Sequence, residues 1–284
     1  MATAMCLYGA GCKSPSKPMV ESPDPPPTYA AIAKAHNERV AQLQQLYAVG
    51  TIEFRWKDDK GSHFENGHAE LWLLLPRRTA LRIDKVGEVL LWLGSDDERY
   101  WFFDLLSKES LLKVGRHDEA VADVQATTAL GMRPLVMLDL LALTPLSVEE
   151  AVSAVSLDVE RNAWVVQVHS DNAADSGRRL YFDRTTMLPL RVELLDAAGQ
   201  VQTSSSLRRY QSVTQEGMSP AAFPKFATLI DIFASTDDAA NGSVKLALDE
   251  ATGVVDDQPL DRVFNLERLM SALKPARVEG AILP

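Results

Sequence analysis

Apolar and polar residues alternate along two long stretches of the chain, and this period of two predicts β-strands. In the first stretch Ile52, Phe54 and Trp56 alternate with charged residues, and similar segments follow at 63–75, 79–84, 88–93 and 99–105. The second stretch comprises 153–160, 163–169, 178–183, 189–195, 200–210, 225–234 and 243–249. Short connections without βαβ spacing predict a mainly β (α+β) protein of ten to twelve antiparallel strands in two blocks.

Four intervals have helical spacing instead. Residues 28–48 follow Thr28, which has the side chain of an N-cap, and Gly50 is expected to end this helix. Residues 132–143 are apolar nearly all round, so a helix there is expected to be buried or to cover an apolar surface. The interval 118–129 also fits a helix, and a short helix is expected within 261–273.

The first 27 residues differ in composition from the rest of the chain. Residues 2–11 are small or apolar, and Gly9-Ala10-Gly11-Cys12 resembles the lipobox of bacterial lipoproteins, in which the cysteine becomes the lipidated N-terminus. Residues 13–27 contain six prolines and three serines, as in an extended tether. Residues 1–12 are therefore interpreted as a short lipoprotein signal segment with Cys12 as the lipid attachment site, although no basic residue precedes it. The alternative is a tail that carries ordinary exposed thiols.

The amino-acid composition and the missing motifs argue against several classes of function. The 284 residues are 46% apolar and 24% charged, and the formal net charge of −10 argues against nucleic acid, whose phosphates require clustered cations. Cys6 and Cys12 are the only cysteines, so the rest of the chain has no disulfide and no thiol nucleophile. There is no Gly-x-Ser-x-Gly elbow and no glycine-rich phosphate loop that opens a helix. We therefore expect no enzyme, no catalytic residue, no metal and no cofactor.

The order of these elements resembles the LolA/LolB family of periplasmic lipoprotein carriers and receptors. The resemblance is carried by residues 67–78 (GHAELWLLLPRR), by 89–103 (VLLWLGSDDERYWFF), and by Tyr181, Phe182, Asp183, Thr186, Leu188, Pro189 and Arg191. It covers residues 28–250 and implies an incomplete antiparallel β-barrel wrapped around helices that act as a lid. Residues 251–284 would form a C-terminal extension. The lipobox and the tether favour a membrane-anchored, receptor-like relative over a soluble carrier.

The resemblance implies an apolar concavity that binds the acyl chains of lipids or lipoproteins. Inward strand parity gives the candidate lining residues Phe54, Trp56, Leu71, Leu73, Leu81, Ile83, Val89, Leu91, Phe102, Trp164, Val166 and Val192. Met132, Val136 and Leu140 are the candidate lid residues. The chain would be lipid-anchored in the cell envelope and face the periplasm, and Lys13 after Cys12 favours the outer membrane over the inner one.

A function other than acyl-chain binding stays open for the same fold. The same half-barrel would serve as a sensor or as a scaffold that docks an envelope protein without binding a ligand. A carrier predicts an apolar cavity under the 132–143 helix, whereas a scaffold predicts a filled core there.

The positions of Trp72 and Trp92 in the alternating pattern are those of the charged residues Glu70 and Glu88, so both tryptophans are expected on the outer face of the sheet. They would lie there either under a packed helix or in an exposed aromatic patch.

Overall fold

The computed structural model describes residues 25–58, 61–106, 109–117, 134–147, 154–168, 177–234, 242–253, 260 and 262–280. Within these ranges lie the helices α1 (Tyr29–Gln42), α2 (Pro134–Leu140) and α3 (Leu266–Leu273), and a 3₁₀ turn at Pro220–Ala222. The strands are β1 (Gln45–Asp58), β2 (Gly61–Leu74), β3 (Arg78–Lys85), β4 (Glu88–Ser95), β5 (Arg99–Asp104), β6 (Leu111–Arg116), β7 (Ser156–Asp158), β8 (Ala163–Val168), β9 (Gly177–Asp183), β10 (Pro189–Leu195), β11 (Val201–Ser212), β12 (Lys225–Ala234), β13 (Gly242–Thr252) and β14 (Arg277–Glu279). The predicted helix at 118–129 lies outside the described residues.

All fourteen strands form one open sheet in the order β14-β6-β5-β4-β3-β2-β1-β13-β12-β11-β10-β9-β8-β7. Pairing is antiparallel except for β14, which runs parallel to β6. The meander β1–β6 and the meander β7–β13 meet where β1 pairs with β13. Among the described residues the edge strands β14 and β7 do not pair with each other, so the barrel is incomplete, as predicted, with fourteen strands rather than ten to twelve.

The sheet bends around its helices. Helix α2 contacts β3 and β4 in the first meander and β10 in the second. In a flat sheet, β3 and β10 would lie six strand spacings apart, about 29 Å at roughly 4.8 Å per spacing. A helix of about 10–12 Å diameter cannot span that distance. The sheet therefore has a concave face, and α2 lies in it.

Helix α1 begins as predicted but ends earlier. Thr28 caps it, because its side-chain oxygen accepts a hydrogen bond from the Ala31 amide at 3.2 Å. The prediction of a helix to residue 48 is wrong, since α1 ends at Gln42 and β1 begins at Gln45. Residues 45–49 pair with 70–74 of β2, and 47–49 also pair with 250–252 of β13. Pairing with two neighbouring strands outweighs the local helical spacing there.

The first and larger hydrophobic cluster fills the concave face, and we call it the inner core. It combines buried side chains of α1 and α2 with those of β1–β5 and β8–β13. Its largest fully buried members include Phe182, Phe226 and Ile32, each at most 1% exposed. The inner core thus joins both meanders to the two helices.

The second cluster lies on the opposite face of the first meander, and we call it the outer cluster. Trp72 and Trp92 belong to it, with ring centroids 6.2 Å apart and nearly parallel planes. Leu266 and Leu269 of α3 pack into the same cluster. The predicted outward orientation of the two tryptophans is confirmed, and of the two alternatives the covering helix is the one observed. The region after residue 250 therefore contributes α3 as a cover and β14 as an edge strand.

Two strands were not predicted, and both lie at one edge of the sheet. β6 follows β5 in the first meander, and β14 adds beside it through Arg277–Glu279. Because β14 has only three paired residues, its sequence is too short to show a period of two. Its position depends on the path of the chain after α3, which composition does not reveal.

The turn between β3 and β4 is strained at Val86. Val86 and Gly87 both have positive φ, 53° and 86°, as in a type I′ turn. This conformation is unfavourable for a β-branched side chain, and Val86 is 98% exposed, so packing does not compensate. We expect Val86→Asn to raise the free energy of unfolding by about 1 kcal/mol, measured as a rise of about 2–4 °C in melting temperature.

A matched control is Val159→Asn in the turn between β7 and β8. Val159 is 75% exposed but lies outside the left-handed region, so its replacement should change the melting temperature little. Equal effects of the two substitutions would show that Val86 is not strained.

Candidate functional site

The structure places most of the predicted lining and lid residues together. Thirteen of the fifteen belong to or pack against the inner core: Phe54, Trp56, Leu71, Leu73, Leu81, Ile83, Leu91, Phe102, Val136, Leu140, Trp164, Val166 and Val192. Met132 and the proposed lipidation site Cys12 lie outside the described residues. The alternation of inward-facing and outward-facing positions along the predicted strands therefore located one continuous apolar face from the sequence.

Val89 is the exception among the described lining residues. It packs against the outer cluster, so its predicted orientation is wrong. The register between β3 and β4 shifts there, since Ile83 pairs with Leu91 but Asp84 pairs with Val89. This bulge inserts Leu90, which packs against the inner core beside Leu91. One extra residue therefore moves Val89 to the opposite face of the sheet.

The concave face is covered by α2 and the loop that follows it, residues 134–147, which we call the lid segment. Met137, Leu138 and Leu140 of α2 are each at most 3% exposed. The helix ends in a Schellman motif, in which the Leu143 amide donates to the Leu138 carbonyl and the Ala142 amide to the Asp139 carbonyl, both at 2.9 Å. Ala142 has the expected left-handed conformation, with φ 53°. The motif turns the chain back across the inner core.

Side chains from outside the lid segment bind its backbone carbonyls, because buried carbonyls require hydrogen-bond donors. The donors and acceptors are Tyr29 Oη to Ser147 O (2.8 Å), His36 Nε2 to Thr144 O (3.0 Å), Asn37 Nδ2 to Leu146 O (2.8 Å), Arg39 Nη2 to Ala142 O, Arg178 Nη2 to Pro145 O (2.7 Å) and Ser205 Oγ to Leu140 O (2.5 Å). Six side chains from α1, β9 and β11 thus hold a segment that pairs with no strand in the described structure.

Arg178 makes an additional ion pair with the lid segment. Its Nη1 lies 2.5 Å from Oδ1 of Asp139, and the two side chains are 14% and 30% exposed. Partial burial reduces the solvent screening that limits a surface ion pair to about 0–1 kcal/mol. Arg178 therefore holds both α2, through Asp139, and the following loop, through Pro145.

His36 is buried where α1 meets the lid segment. Its pKa is lowered from 6.5 to about 3, mainly by burial and also by the positive charges of Arg39 and Arg178, while the bond to Thr144 acts in the opposite direction. The ring is neutral at ordinary pH, and its Nε2 must carry the proton because the Thr144 carbonyl can only accept. The edge of the ring also meets Phe182, with centroids 5.6 Å apart.

These polar contacts were not predicted from the sequence, although one signal was available. His36 lies on the same helical face as Ile32, Ala33 and Val40, all of which are buried. A polar residue inside an apolar helical stripe indicates a buried hydrogen bond. The acceptor of the His36 bond, the Thr144 carbonyl, lies more than one hundred residues away in sequence, so the helical pattern does not identify it.

The described ranges contain neither a metal-ion site nor a membrane-spanning helix. No group of three or more His, Cys, Asp or Glu side chains there is arranged to hold a metal ion. No helix within those ranges is both long and apolar enough to cross a membrane. The covered apolar face is the candidate functional site because both meanders contribute buried apolar side chains to it.

A bent, open antiparallel sheet with helices in its concavity defines the LolA/LolB-like fold. No family model matches the sequence, and no curated protein matches it. Several solved structures share the fold. A domain named as an outer membrane lipoprotein-sorting protein from Vibrio parahaemolyticus aligns at TM-score 0.52 and 14% identity, covering 82% of this chain and 96% of that one.

The second structure is a DUF1329 family protein from Desulfovibrio piger, with TM-score 0.56, 11% identity and coverage of 84% and 97%. The third is a LolA superfamily protein from Nitrosomonas europaea, with TM-score 0.50, 10% identity and coverage of 83% and 98%. At these identities the likeness establishes the fold, and function has to be argued from the site.

Proposed function

We propose that the chain is a membrane-anchored lipoprotein of the cell envelope that binds acyl chains of lipids or lipoproteins in the concavity beneath the lid segment. The observation that carries the proposal is the way this segment is held. It covers an apolar face contributed by both meanders, yet its polar bonds come from side chains rather than from a strand. Such a cover is able to leave without breaking the sheet. The fold shared with a lipoprotein-sorting domain supports the same proposal.

The energies of the lid segment and of an acyl chain are comparable. Six large apolar side chains of the segment are buried: Met137, Leu138, Leu140, Leu141, Leu143 and Leu146. Their burial contributes roughly 9–18 kcal/mol at about 1.5–3 kcal/mol each. A sixteen-carbon acyl chain contributes roughly 12 kcal/mol at about 0.8 kcal/mol per CH₂. An acyl chain is therefore able to replace the apolar burial that the lid segment would lose.

The proposal includes the N-terminal anchor. Lipidation of Cys12 would fix the chain to a membrane, facing the periplasm, with the proline-rich residues 13–27 as the tether. The outer membrane is the favoured location because Lys13 rather than aspartate follows Cys12. The function needs no catalytic residue, since acyl binding is driven by apolar burial.

The alternative function is that of a sensor or protein-docking scaffold without a ligand. One observation favours it: Met137, Leu138 and Leu140 themselves fill the space beneath α2. A filled core is what a scaffold requires, whereas a carrier must displace the lid segment. Movement of this segment therefore distinguishes the two functions.

We expect a palmitoylated peptide to bind the full-length protein and to increase hydrogen–deuterium exchange within residues 134–147. Arg178→Gln should increase that exchange without ligand and tighten peptide binding about fivefold, because opening the weakened lid costs less. Binding is measured by fluorescence titration, and co-purified lipid is identified by native mass spectrometry and lipid extraction.

Arg208→Gln is the control, because Arg208 pairs with Asp231 away from the lid segment and is 55% exposed. It should leave exchange and binding unchanged. If neither the wild-type protein nor Arg178→Gln takes up the peptide or carries lipid, acyl binding is refuted and the docking scaffold is favoured.

A further inference from the structure

A pocket of about 440 Å³ opens at one end of the inner core. Its walls come from the segment before α1, the β7–β8 turn with the start of β8, and the β9–β10 turn. The lining residues are Pro25, Pro27, Asn162, Trp164, Arg184, Thr185 and Met187. None of the contacts that hold the lid segment uses these side chains, so the pocket is separate from the contacts that keep the lid segment closed.

The β9–β10 turn is held rigidly at the pocket. The Asp183 carboxylate accepts hydrogen bonds from the Thr185 amide at 3.0 Å and from the amide and hydroxyl of Thr186 at 2.7 and 2.9 Å. The amide of Met187, which has φ 57°, donates to the Asp183 carbonyl at 2.9 Å. The carboxylate is therefore engaged within the turn, while Arg184, Thr185 and Met187 line the pocket from a fixed backbone.

Arg184 supplies a positive charge to this pocket. Its guanidinium carbon lies 5.1 Å from the centre of the Trp164 ring, and its Nη1 donates to Oδ1 of Asn162 at 3.2 Å. A guanidinium has five N–H donors, and this is the single one with an acceptor among the described residues. No described carboxylate forms an ion pair with it. An oriented guanidinium with free donors favours a phosphate or a carboxylate.

The pocket also adjoins the apolar face. Trp164 lines it and is at the same time a member of the inner core, only 5% exposed. Met187 lines it and packs against the inner core as well. A ligand with its anionic end at Arg184 would therefore have apolar surface directly beside it. This combination suits an amphiphile better than a free anion.

The position of the pocket relative to the N-terminal segment supports this assignment. Pro25 and Pro27 line the pocket and directly continue the proline-rich stretch that follows Cys12. Thirteen residues lead from Cys12 to Pro25, and a chain of that length spans at most about 47 Å. In a chain anchored at Cys12, the pocket would thus stay within reach of lipid headgroups.

We propose that this pocket binds the anionic headgroup, phosphate or carboxylate, of an amphiphile whose acyl chain enters the inner core past Trp164. This proposal rests on the proposed function, acyl-chain binding, and specifies in addition that the ligand has a negatively charged headgroup. Arg184 binds the headgroup, and Asn162 and Trp164 position Arg184.

The test compares three probes by isothermal titration calorimetry on the full-length protein, each below its critical micelle concentration. Dodecyl phosphate has the tail and the anion, dodecyl maltoside has the same tail with an uncharged headgroup, and inorganic phosphate has the anion alone. We expect Arg184→Gln to weaken dodecyl phosphate binding about tenfold and to leave dodecyl maltoside binding unchanged. Arg184→Lys should recover part of the affinity. Arg268→Gln, on the exposed side of α3, is the charge-matched control and should change neither.

The outcomes separate this proposal from the proposed function. If dodecyl phosphate binds Arg184→Gln as tightly as wild type, the headgroup site is overturned while acyl binding stands. If inorganic phosphate binds as tightly as dodecyl phosphate, with the same loss in Arg184→Gln, the pocket is an anion site and the amphiphile is overturned. If neither dodecyl compound binds, acyl binding and the headgroup site both fail. Melting temperatures of all variants verify that each is folded.

Discussion

Replacing Gly50 with alanine is expected to lower the melting temperature by at least about 6 °C, which corresponds to at least about 3 kcal/mol in a domain of this size. Gly50 lies in β1, where the two meanders pair. A Cβ atom at this position would lie 2.1 Å from the Ala247 carbonyl oxygen and 2.7 Å from the Cα of Leu248. Both atoms belong to the backbone of β13, so rotation of a side chain cannot relieve the clash.

The close approach at Gly50 has a local cause. The register between β1 and β13 shifts there, since Val49 pairs with Glu250 and Gly50 with Leu248. A bulge of this kind brings the backbones together, and glycine is the residue without a Cβ to collide. The expected loss of stability therefore acts on the junction between the two halves of the concave face.

Gly199→Ala is the control for this prediction. Gly199 has φ +75°, and a Cβ there would meet nothing within 4 Å. Its replacement introduces backbone strain of about 1 kcal/mol without a clash, so the melting temperature should fall by about 2–4 °C. Both are measured by thermal unfolding followed by circular dichroism. A fall for Gly50→Ala no larger than that for Gly199→Ala would contradict the close approach of β1 and β13.

The sequence predicted the sheet well where its pattern is local. Alternation along 63–75 and 99–105 located β2 and β5, and the same parity placed Leu71 and Phe102 on the inner face. It failed where pairing with distant residues decides the structure. Residues 45–48 have helical spacing, yet all four pair with β2 and the last two also pair with β13, and no local signal reveals those partners.

The candidate site was predictable to a similar extent. Its apolar face followed from parity, except at Val89, because a bulge adds a residue that the alternation does not show. The bonds that hold the lid segment were not predictable, because they join α1, β9 and β11 to carbonyls about thirty to 120 residues away in sequence. Arg184 was also missed, since its role depends on two turns that meet only in the folded chain.

Acidification is expected to destabilise the protein through His36, by about 2 kcal/mol between pH 7.5 and pH 5. The pKa of His36 is about 3 in the folded protein, against 6.5 ordinarily. Between these values the unfolded chain binds a proton that the folded protein does not, so stability falls as the pH falls below 6.5. The contribution is complete above pH 6.5 and decreases by up to about 1.4 kcal/mol per pH unit below it.

Carboxylates change the free energy of unfolding in a different pH range from His36. The hydrogen bond from Arg78 lowers the pKa of Asp97, and the amide of Thr186 does the same for Asp183. A group with a lowered pKa stabilises the fold above its ordinary value, 3.8 for aspartate, and loses that effect as the pH falls further. Measurements at pH 7.5 and pH 5 therefore isolate His36 from these groups.

His36→Gln is the variant that tests this assignment. A glutamine amide placed near Nε2 retains a donor for the Thr144 carbonyl but does not titrate. Urea unfolding at both pH values should give a difference about 2 kcal/mol smaller for this variant than for wild type. His117→Gln is the control, because His117 lies after β6 and away from the lid segment, and an equally large reduction of that difference would contradict the assignment to His36.

The result bears on the lid segment as well as on stability. His36 keeps its low pKa only while the lid segment covers it, because burial is the largest cause of the shift. Arg178→Gln loosens the lid segment and also removes a positive charge that lowers the pKa of His36, so it should raise that pKa and reduce the acid destabilisation. Equal pH dependence in wild type and His36→Gln would show that the ring reaches water in the folded state. The lid segment would then be open rather than closed over the inner core.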